Sequence, residues 1–330
     1  MRYIVIGAGS VGGTIGGRLA EAGHDVVLVA RGAHLEALRA DGLTLHTPRT
    51  RVRPSLLAVG GPGELALTPD DALILAVKSQ DSTPLLEEWS NQEVAGGGTA
   101  GDLLPLVCAQ NGVTNERMAL RRFAHVYGMC VWLPAALADP GQVVAQGDPF
   151  SGVLEVGRYP QGVDTTTAAL VADLRSSNFL AYEQEQVMPW KYGKLLANLS
   201  NAAHAATGTR PSPAGAKLQQ LVLEEALACY EAASIHHLDL DAEQAKRGDK
   251  VQVLEVNGHP RAGGSSWQSL NRGLGSIEAD YLNGEIVLLG RLHGVPTPAN
   301  ALLQQVANRL ARDRKAPGSI QAEDLLARIR

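Results

Sequence analysis

The sequence predicts an α/β domain followed by an all-helical one, and three observations carry that prediction. A short apolar run, Arg2-Tyr3-Ile4-Val5-Ile6, leads straight into Gly7-Ala8-Gly9-Ser10-Val11-Gly12, after which Ile15, Leu19 and Ala22 recur at helical spacing until Gly23. Short apolar strands then alternate with helical or looped connections through the first half, the pattern of a parallel sheet with crossovers. From Pro189 onward this alternation gives way to helical periodicity. The boundary is placed near residue 185, giving domains over 1–185 and 186–330.

A strand feeding a glycine turn that opens a helix is the Rossmann-type dinucleotide-binding arrangement. The first glycine permits the tight turn, the second lets a pyrophosphate lie against bare backbone, and the third lets the helix pack on the strand. The phosphates face unpaired N–H groups and the positive end of the helix dipole. Gly7, Ala8, Gly9, Ser10, Val11 and Gly12 are therefore assigned to the cofactor. The second strand, Asp25-Val26-Val27-Leu28-Val29-Ala30, ends in Arg31. An NAD site usually has an acidic residue there to accept from the ribose 2′-hydroxyl. Arg31 cannot accept, but its guanidinium can pair with a 2′-phosphate, which points to NADP(H).

The remaining elements follow in order. Residues 42–46 alternate as an edge strand, 72–77 form a buried strand ending in Lys78, and 103–108 form another ending at Gln110-Asn111-Gly112. Further strands are expected over 126–132, 142–145, 153–156 and 179–182, with a helix over 165–174. Helices are expected at about 190–206, 215–235, 241–256, 264–272, 276–293, 298–313 and 320–329, with glycines and prolines at their ends.

Composition sets the frame. The chain has 330 residues, enough for two domains, and a formal net charge of −5 with no basic excess or polybasic run for nucleic acid or a membrane surface. Cys108, Cys130 and Cys229 are scattered and form no C-x-x-C, which fits a reducing cytoplasm, and Cys108 and Cys130 read as small buried hydrophobes. No apolar stretch approaches the roughly 18–20 residues of a membrane span, and the N-terminus is already committed to a strand.

Several residue types stand where chemistry is expected. Lys78 and Asn111 sit at strand carboxyl ends, where ligands bind in open α/β sheets. Lys194, Asn198 and Asn201 are spaced i, i+4 and i+7, which puts one ammonium and two amides on one face of a helix. A lysine whose pKa is lowered from about 10.4 by desolvation can give a proton to a ketone oxygen, whereas the same spacing also describes a solvent-facing stripe. Ser276 is a candidate N-cap, with Glu278 and Asp280 in the first turn. His236-His237 point to different helix faces with no third ligand nearby, so no metal is expected, and His204 reads as structural.

Taken together, the glycine turn, Lys78, Gln110-Asn111-Gly112, Lys194-Leu195-Leu196-Ala197-Asn198, Glu278-Ala279-Asp280-Tyr281-Leu282-Asn283-Gly284 and Gly294-Val295-Pro296-Thr297-Pro298 occur in family order. The chain thereby resembles the ketopantoate reductase (2-dehydropantoate 2-reductase) family over essentially its whole length. The resemblance implies NADPH-dependent reduction of a 2-oxo acid to a 2-hydroxy acid in pantothenate biosynthesis. It makes Lys194 the proton donor, with Lys191 as a rival one turn away. It gives the substrate to Asn198 and Ser266, twelve residues before Glu278, with Asn201 as a further candidate. It makes Asn111 a bridge between cofactor and substrate, lets Glu278 contact the cofactor and set the lysine's protonation state, and gives Lys78 and Arg31 to NADPH.

The sequence also departs from the family pattern. The second asparagine, expected eight residues after the lysine, is Ala202, and the nearby amide is Asn201, rotated by about 100° on a helix. Trp267 follows Ser266 where a methionine is common. The expected substrate is thus ketopantoate or a related small acid. An opine-type dehydrogenase and a non-catalytic NADP-binding sensor are alternatives on the same frame. The apolar side of helix 276–293 can be buried within the chain or against a second copy, so a homodimer is one possible assembly.

Overall fold

A computed structural model describes residues 1–239, 242, 245, 248–259 and 263–329. The chain divides into two units, Met1–Lys191 with Asp241–Arg261, and Tyr192–Leu240 with Ala262–Arg330. The predicted fold class, α/β followed by helical, holds.

The first unit is built on an eight-stranded sheet: β1 (Arg2–Ile6), β2 (Asp25–Val29), β3 (Leu57–Val59), β4 (Asp71–Leu75), β5 (Pro105–Cys108), β6 (His125–Trp132), β7 (Val153–Arg158) and β8 (Leu180–Glu183). Their spatial order is β8-β7-β6-β5-β4-β1-β2-β3. All neighbours run parallel except β6 and β7. Ile6 at the carboxyl end of β1 pairs with Val29 of β2 and Leu75 of β4, and the chain leaves β1 toward opposite edges of the sheet. That reversal opens a crevice beyond the ends of these strands, the usual ligand position in a doubly wound sheet.

Both sheet faces are covered, which is why the strands read as apolar runs rather than alternating ones. Tyr3, Val5, Leu28, Ile74 and Val107 pack with Ile15 and Leu19 on one face, and Ile4, Ile6, Leu73, Leu75 and Leu106 pack with Trp89 and Phe123 on the other. A smaller sheet joins Thr44–His46, Arg51–Val52, Ala135–Asp139 and Gln142–Ala145.

Five expectations about elements need correction. The expected helix over 241–256 is wrong in its second half, where Val251–Val253 is a strand pairing antiparallel with Gly147–Pro149; most of 241–247 lies outside the described residues. Short apolar runs do not distinguish helix from strand, and a partner a hundred residues away decided this one. Leu103 ends a short helix, Ala100–Leu103, instead of starting β5. The helix expected over 190–206 is two, Met188–Asn198 and Ser200–Thr207, and the one over 276–293 begins as a 3-10 turn, Glu278–Tyr281, before Asn283–His293. Ile277, not Ser276, is the residue preceding that turn, with no side-chain cap bond.

In the second unit, helices Ser200–Thr207, Pro213–Ala232, Ser265–Asn271, Asn283–His293, Pro298–Arg312 and Ala322–Leu326 pack around buried polar anchors. Glu225 places its carboxylate on the first turn of helix Pro298–Arg312, accepting from the N–H of Ala299 at 2.7 Å and of Asn300 at 2.9 Å. The preceding Thr297 makes no side-chain cap bond, so Glu225 satisfies these orphan donors from another helix and complements the helix dipole. No helix among the described residues is long and apolar enough to cross a membrane.

Replacing this carboxylate tests the packing. Glu225→Ala is expected to lower unfolding stability by about 1–3 kcal/mol, read from the urea midpoint at unchanged m, because buried donors lose a charged acceptor.

Candidate active site

The turn after β1 shows why three glycines stand there. Gly7 has φ +103°, a region L side chains rarely adopt, and a Cβ on it would meet Val77 at 2.7 Å. A Cβ on Gly12 would lie 2.1 Å from the Gly7 carbonyl oxygen, so the helix packs on the turn only without one. Gly9 differs. A Cβ there would meet nothing within 4 Å among the described residues, and its φ of −69° suits any residue. It precedes helix Ser10–Glu21 and offers no side chain to the first-turn N–H groups. Bare backbone beside open space at a helix N-terminus fits a pyrophosphate.

His34 fastens this turn and was not singled out in the sequence. Its Nδ1 accepts from the Gly141 N–H at 2.9 Å, so Nε2 carries the hydrogen and donates to the Ala8 carbonyl at 2.7 Å. Nothing in the local pattern of helix Gly32–Asp41 signals this, because Gly141 lies 107 residues away.

The other cofactor candidates stand on neighbouring strands. Arg31 follows β2 with its side chain 87 % exposed and one guanidinium nitrogen 3.5 Å from Asp81. Lys78 follows β4 and precedes the 3-10 turn Ser79–Asp81, and Asn111 follows β5. A buried polar network joins these last two loops. Gln110 Nε2 donates to Ser82 Oγ at 2.8 Å, and Ser82 Oγ donates to Asn115 Oδ1 at 3.1 Å. Asn115 Nδ2 in turn donates to Ser79 Oγ at 3.0 Å and to the Asn111 carbonyl at 3.3 Å.

Lys191, the rival acid, belongs to this network. It is 3 % exposed, donates to the Gln110 carbonyl at 3.1 Å and pairs with the fully buried Glu116. Burial, with the Glu116 carboxylate nearby, pushes the Cys108 thiol up, so Cys108 is an inert core group.

The second unit holds the remaining candidates. Lys194 and Asn198 stand one turn apart on helix Met188–Asn198, Lys194 half-buried. Asn198 Oδ1 is buried with no hydrogen-bond partner among the described residues. Leaving such an acceptor unmade costs about 1–3 kcal/mol, so it is an acceptor suited to a ligand's donor. The two helices meet at Leu199, which keeps helical dihedrals (φ −61°, ψ −29°) and whose N–H reaches both Leu195 O at 3.1 Å and Leu196 O at 3.4 Å. Its own carbonyl accepts from Asn283 Nδ2 at 3.1 Å. Asn201 therefore lies on the next helix, and its Oδ1 sits against Gly264, where a Cβ would approach to 2.8 Å. Gly264 precedes helix Ser265–Asn271, so Asn201 and the buried Ser266 are brought to one place. Trp267 folds back over Gly263.

The segment ending Asn283-Gly284 divides its labour. Glu278 is 8 % exposed; Asp280 accepts from Gln304 at 2.7 Å and Asn308 at 2.6 Å. Asn283 also donates to Asn300 at 2.9 Å, and a Cβ on Gly284 would press on Gln304 at 2.8 Å. Asp280, Asn283 and Gly284 are thus occupied in packing. His204 is structural in its contacts: its Nε2 meets Gln219 at 2.7 Å, and burial holds its pKa below the usual value.

Comparison with known proteins adds the lineage. The family model "Ketopantoate reductase PanE/ApbA" matches residues 3–161, and "Ketopantoate reductase PanE/ApbA C terminal" matches 186–311. A 2-dehydropantoate 2-reductase of Pyrococcus horikoshii is 25 % identical over 92 % of this chain and 95 % of its own length. The crystal structure of a PanE/ApbA family ketopantoate reductase from Ralstonia eutropha superposes with TM-score 0.78 at 26 % identity, covering 95 % of this chain and 99 % of that one. D-mandelate dehydrogenase in its ternary structure with NADH and anilino(oxo)acetate reaches TM-score 0.80 at 20 % identity, covering 95 % and 99 %, a likeness of fold.

The two glycines separate packing from binding. Gly12→Ala is expected to destabilise the protein by about 1–3 kcal/mol or to abolish folding, through overpacking against Gly7. Gly9→Ala is expected to stay within about 0.5 kcal/mol of the parent while weakening dinucleotide binding roughly tenfold or more. Chemical denaturation and calorimetric titration check the pair.

Proposed function

The chain belongs to the ketopantoate reductase family of oxidoreductases acting on CH–OH groups, and from that premise we propose that it reduces a 2-oxo acid, ketopantoate or a related small acid, to the 2-hydroxy acid with NADPH. The observation that carries this reading is Lys194 half-buried one turn before Asn198, whose amide oxygen is buried without a hydrogen-bond partner among the described residues.

Each residue has a task in this scheme. When bound, the reduced nicotinamide supplies the hydride that reaches the carbonyl carbon. The Lys194 ammonium donates a hydrogen bond to the carbonyl oxygen and transfers its proton there as negative charge develops. Lys191 is not available for this, being committed to Glu116 and the Gln110 carbonyl. Asn198 Oδ1 accepts from a substrate hydroxyl, and Ser266 and Asn201 hold the polar end of the acid. Asn111 bridges cofactor and substrate, and Glu278 contacts the cofactor and sets the charge of Lys194.

The glycine turn binds the pyrophosphate through the backbone of Gly7, Ala8, Gly9, Ser10, Val11 and Gly12, and Lys78 adds a positive charge. Arg31 selects for the 2′-phosphate. Its exposed guanidinium is loosely held by Asp81 at 3.5 Å, and a phosphate carries more charge than that carboxylate. An NAD-directed site would need an acceptor at this position, which arginine lacks.

Two substitutions test the scheme. Lys194→Ala is expected to lower kcat about 10²–10⁴-fold with a panel of branched 2-oxo acids while NADPH still binds; near-parental turnover would remove Lys194 from its role. Arg31→Asp is expected to shift the NADPH-to-NADH ratio of kcat/KM by roughly tenfold or more toward NADH, and an unchanged ratio would assign the 2′-phosphate elsewhere.

A further inference from the structure

Two full charges stand in the core of the first unit, and the proton-transfer scheme uses neither. Lys191 is 3 % exposed and Glu116 fully buried, and they face each other in an ion pair. Such a pair is weak as a stabilising device, because desolvating both charges offsets most of their attraction, and well-packed apolar residues often serve stability as well or better. The surroundings are also incompletely satisfied: Glu116 Oε2 and Gln110 Oε1 are buried without hydrogen-bond partners among the described residues. A core selected for stability alone would not keep this arrangement.

What the charges do achieve is geometric. The Lys191 ammonium donates to the Gln110 carbonyl at 3.1 Å, one residue before Asn111. Glu116 lies on the short helix Asn115–Ala119 that follows the same turn. Its neighbour Asn115 is fully buried and reaches both ways, to the Asn111 carbonyl and to Ser79 Oγ. Ser82 and Gln110 close a second link between the loop after β4 and the turn after β5. Every member of the set lies beside one of the two loops that carry Lys78 and Asn111.

We propose that the buried Lys191–Glu116 pair, with Asn115, Ser79, Ser82 and Gln110, is a positioning device that fixes the Lys78 loop and the Asn111 turn in the arrangement that binds the cofactor. The inference rests on the reading of Lys78 and Asn111 as cofactor-contacting residues. Lys191 and Glu116 touch neither cofactor nor substrate; they act through the Gln110 carbonyl.

The test replaces both charges at once in the full-length protein, so that no unpaired ion is left behind. Lys191→Met/Glu116→Leu is compared with the parent by NADPH titration in a calorimeter and by thermal unfolding. The expected result is a Tm within about 4 °C of the parent's or above it, with the dissociation constant for NADPH raised roughly tenfold or more. A folded double variant that binds NADPH within about twofold of the parent overturns the proposal, because the pair would then be structural only. If the double variant does not fold, Ser79→Ala decides, since it removes the Ser79 hydroxyl that joins Asn115 and the Asn111 carbonyl while leaving the Lys191–Glu116 pair in place. NADPH binding weakened at parental Tm supports the device, and unchanged binding overturns it. The parent titration separates this inference from the reading beneath it. A parent that binds no NADPH sinks both, whereas tight parental binding with indifferent variants sinks the positioning role alone.

Discussion

The first unit depends on one steric fact: the Gly7 carbonyl oxygen stands where a side chain on Gly12 would begin. A Cβ at that position would lie 2.1 Å from the oxygen. Only with hydrogen there can helix Ser10–Glu21 fold back onto β1 and aim its N-terminus at the crevice where β1 departs from β2 and β4. The open space at Gly9 and the His34 bond to the Ala8 carbonyl both lie on the turn that this contact closes. It packs protein against itself on one side and leaves backbone bare for a ligand on the other.

The second unit solves a different problem with buried amides. Asn283 holds the Leu199 carbonyl at the junction between two helices and bonds Asn300, which in turn meets Val222 O and Glu225. These bonds fix where one helix stops and the next starts, and so decide that Asn198 and Asn201 leave from different helices. Directional bonds suit this purpose better than apolar contacts, which tolerate sliding. The E-x-D-Y-x-N-G segment thus combines a buried carboxylate, Glu278, with residues that lock the frame around it.

Much of this was legible in the sequence where local pattern and local structure coincide. The glycine turn, the parallel strands and the change to helices after residue 185 are visible in short windows because strand and helix periodicities differ. What escaped depends on distant partners. Leu199 sits in a run of good helix formers, and the junction there is tied to an asparagine 84 residues on. Val251–Val253 became a strand because Gly147–Pro149 offered an edge. Lys191 read as a rival for Lys194 because spacing does not reveal a carboxylate 75 residues away. His34 carried no signal at all. The candidate site was therefore legible as residue types, while the bonds that aim those residues were not.

Direct proof of the chemistry lies in the fate of one hydrogen. A single turnover with NADPH deuterated at both positions of nicotinamide C4, in ordinary water and with ketopantoate or a related branched 2-oxo acid, can be followed by mass spectrometry of the product. The account predicts a 2-hydroxy acid carrying one deuterium on C2 and a hydroxyl proton from the protein and solvent. A product bearing only solvent hydrogen on C2, or no product while the dinucleotide stays bound and unoxidised with every acid offered, would contradict it.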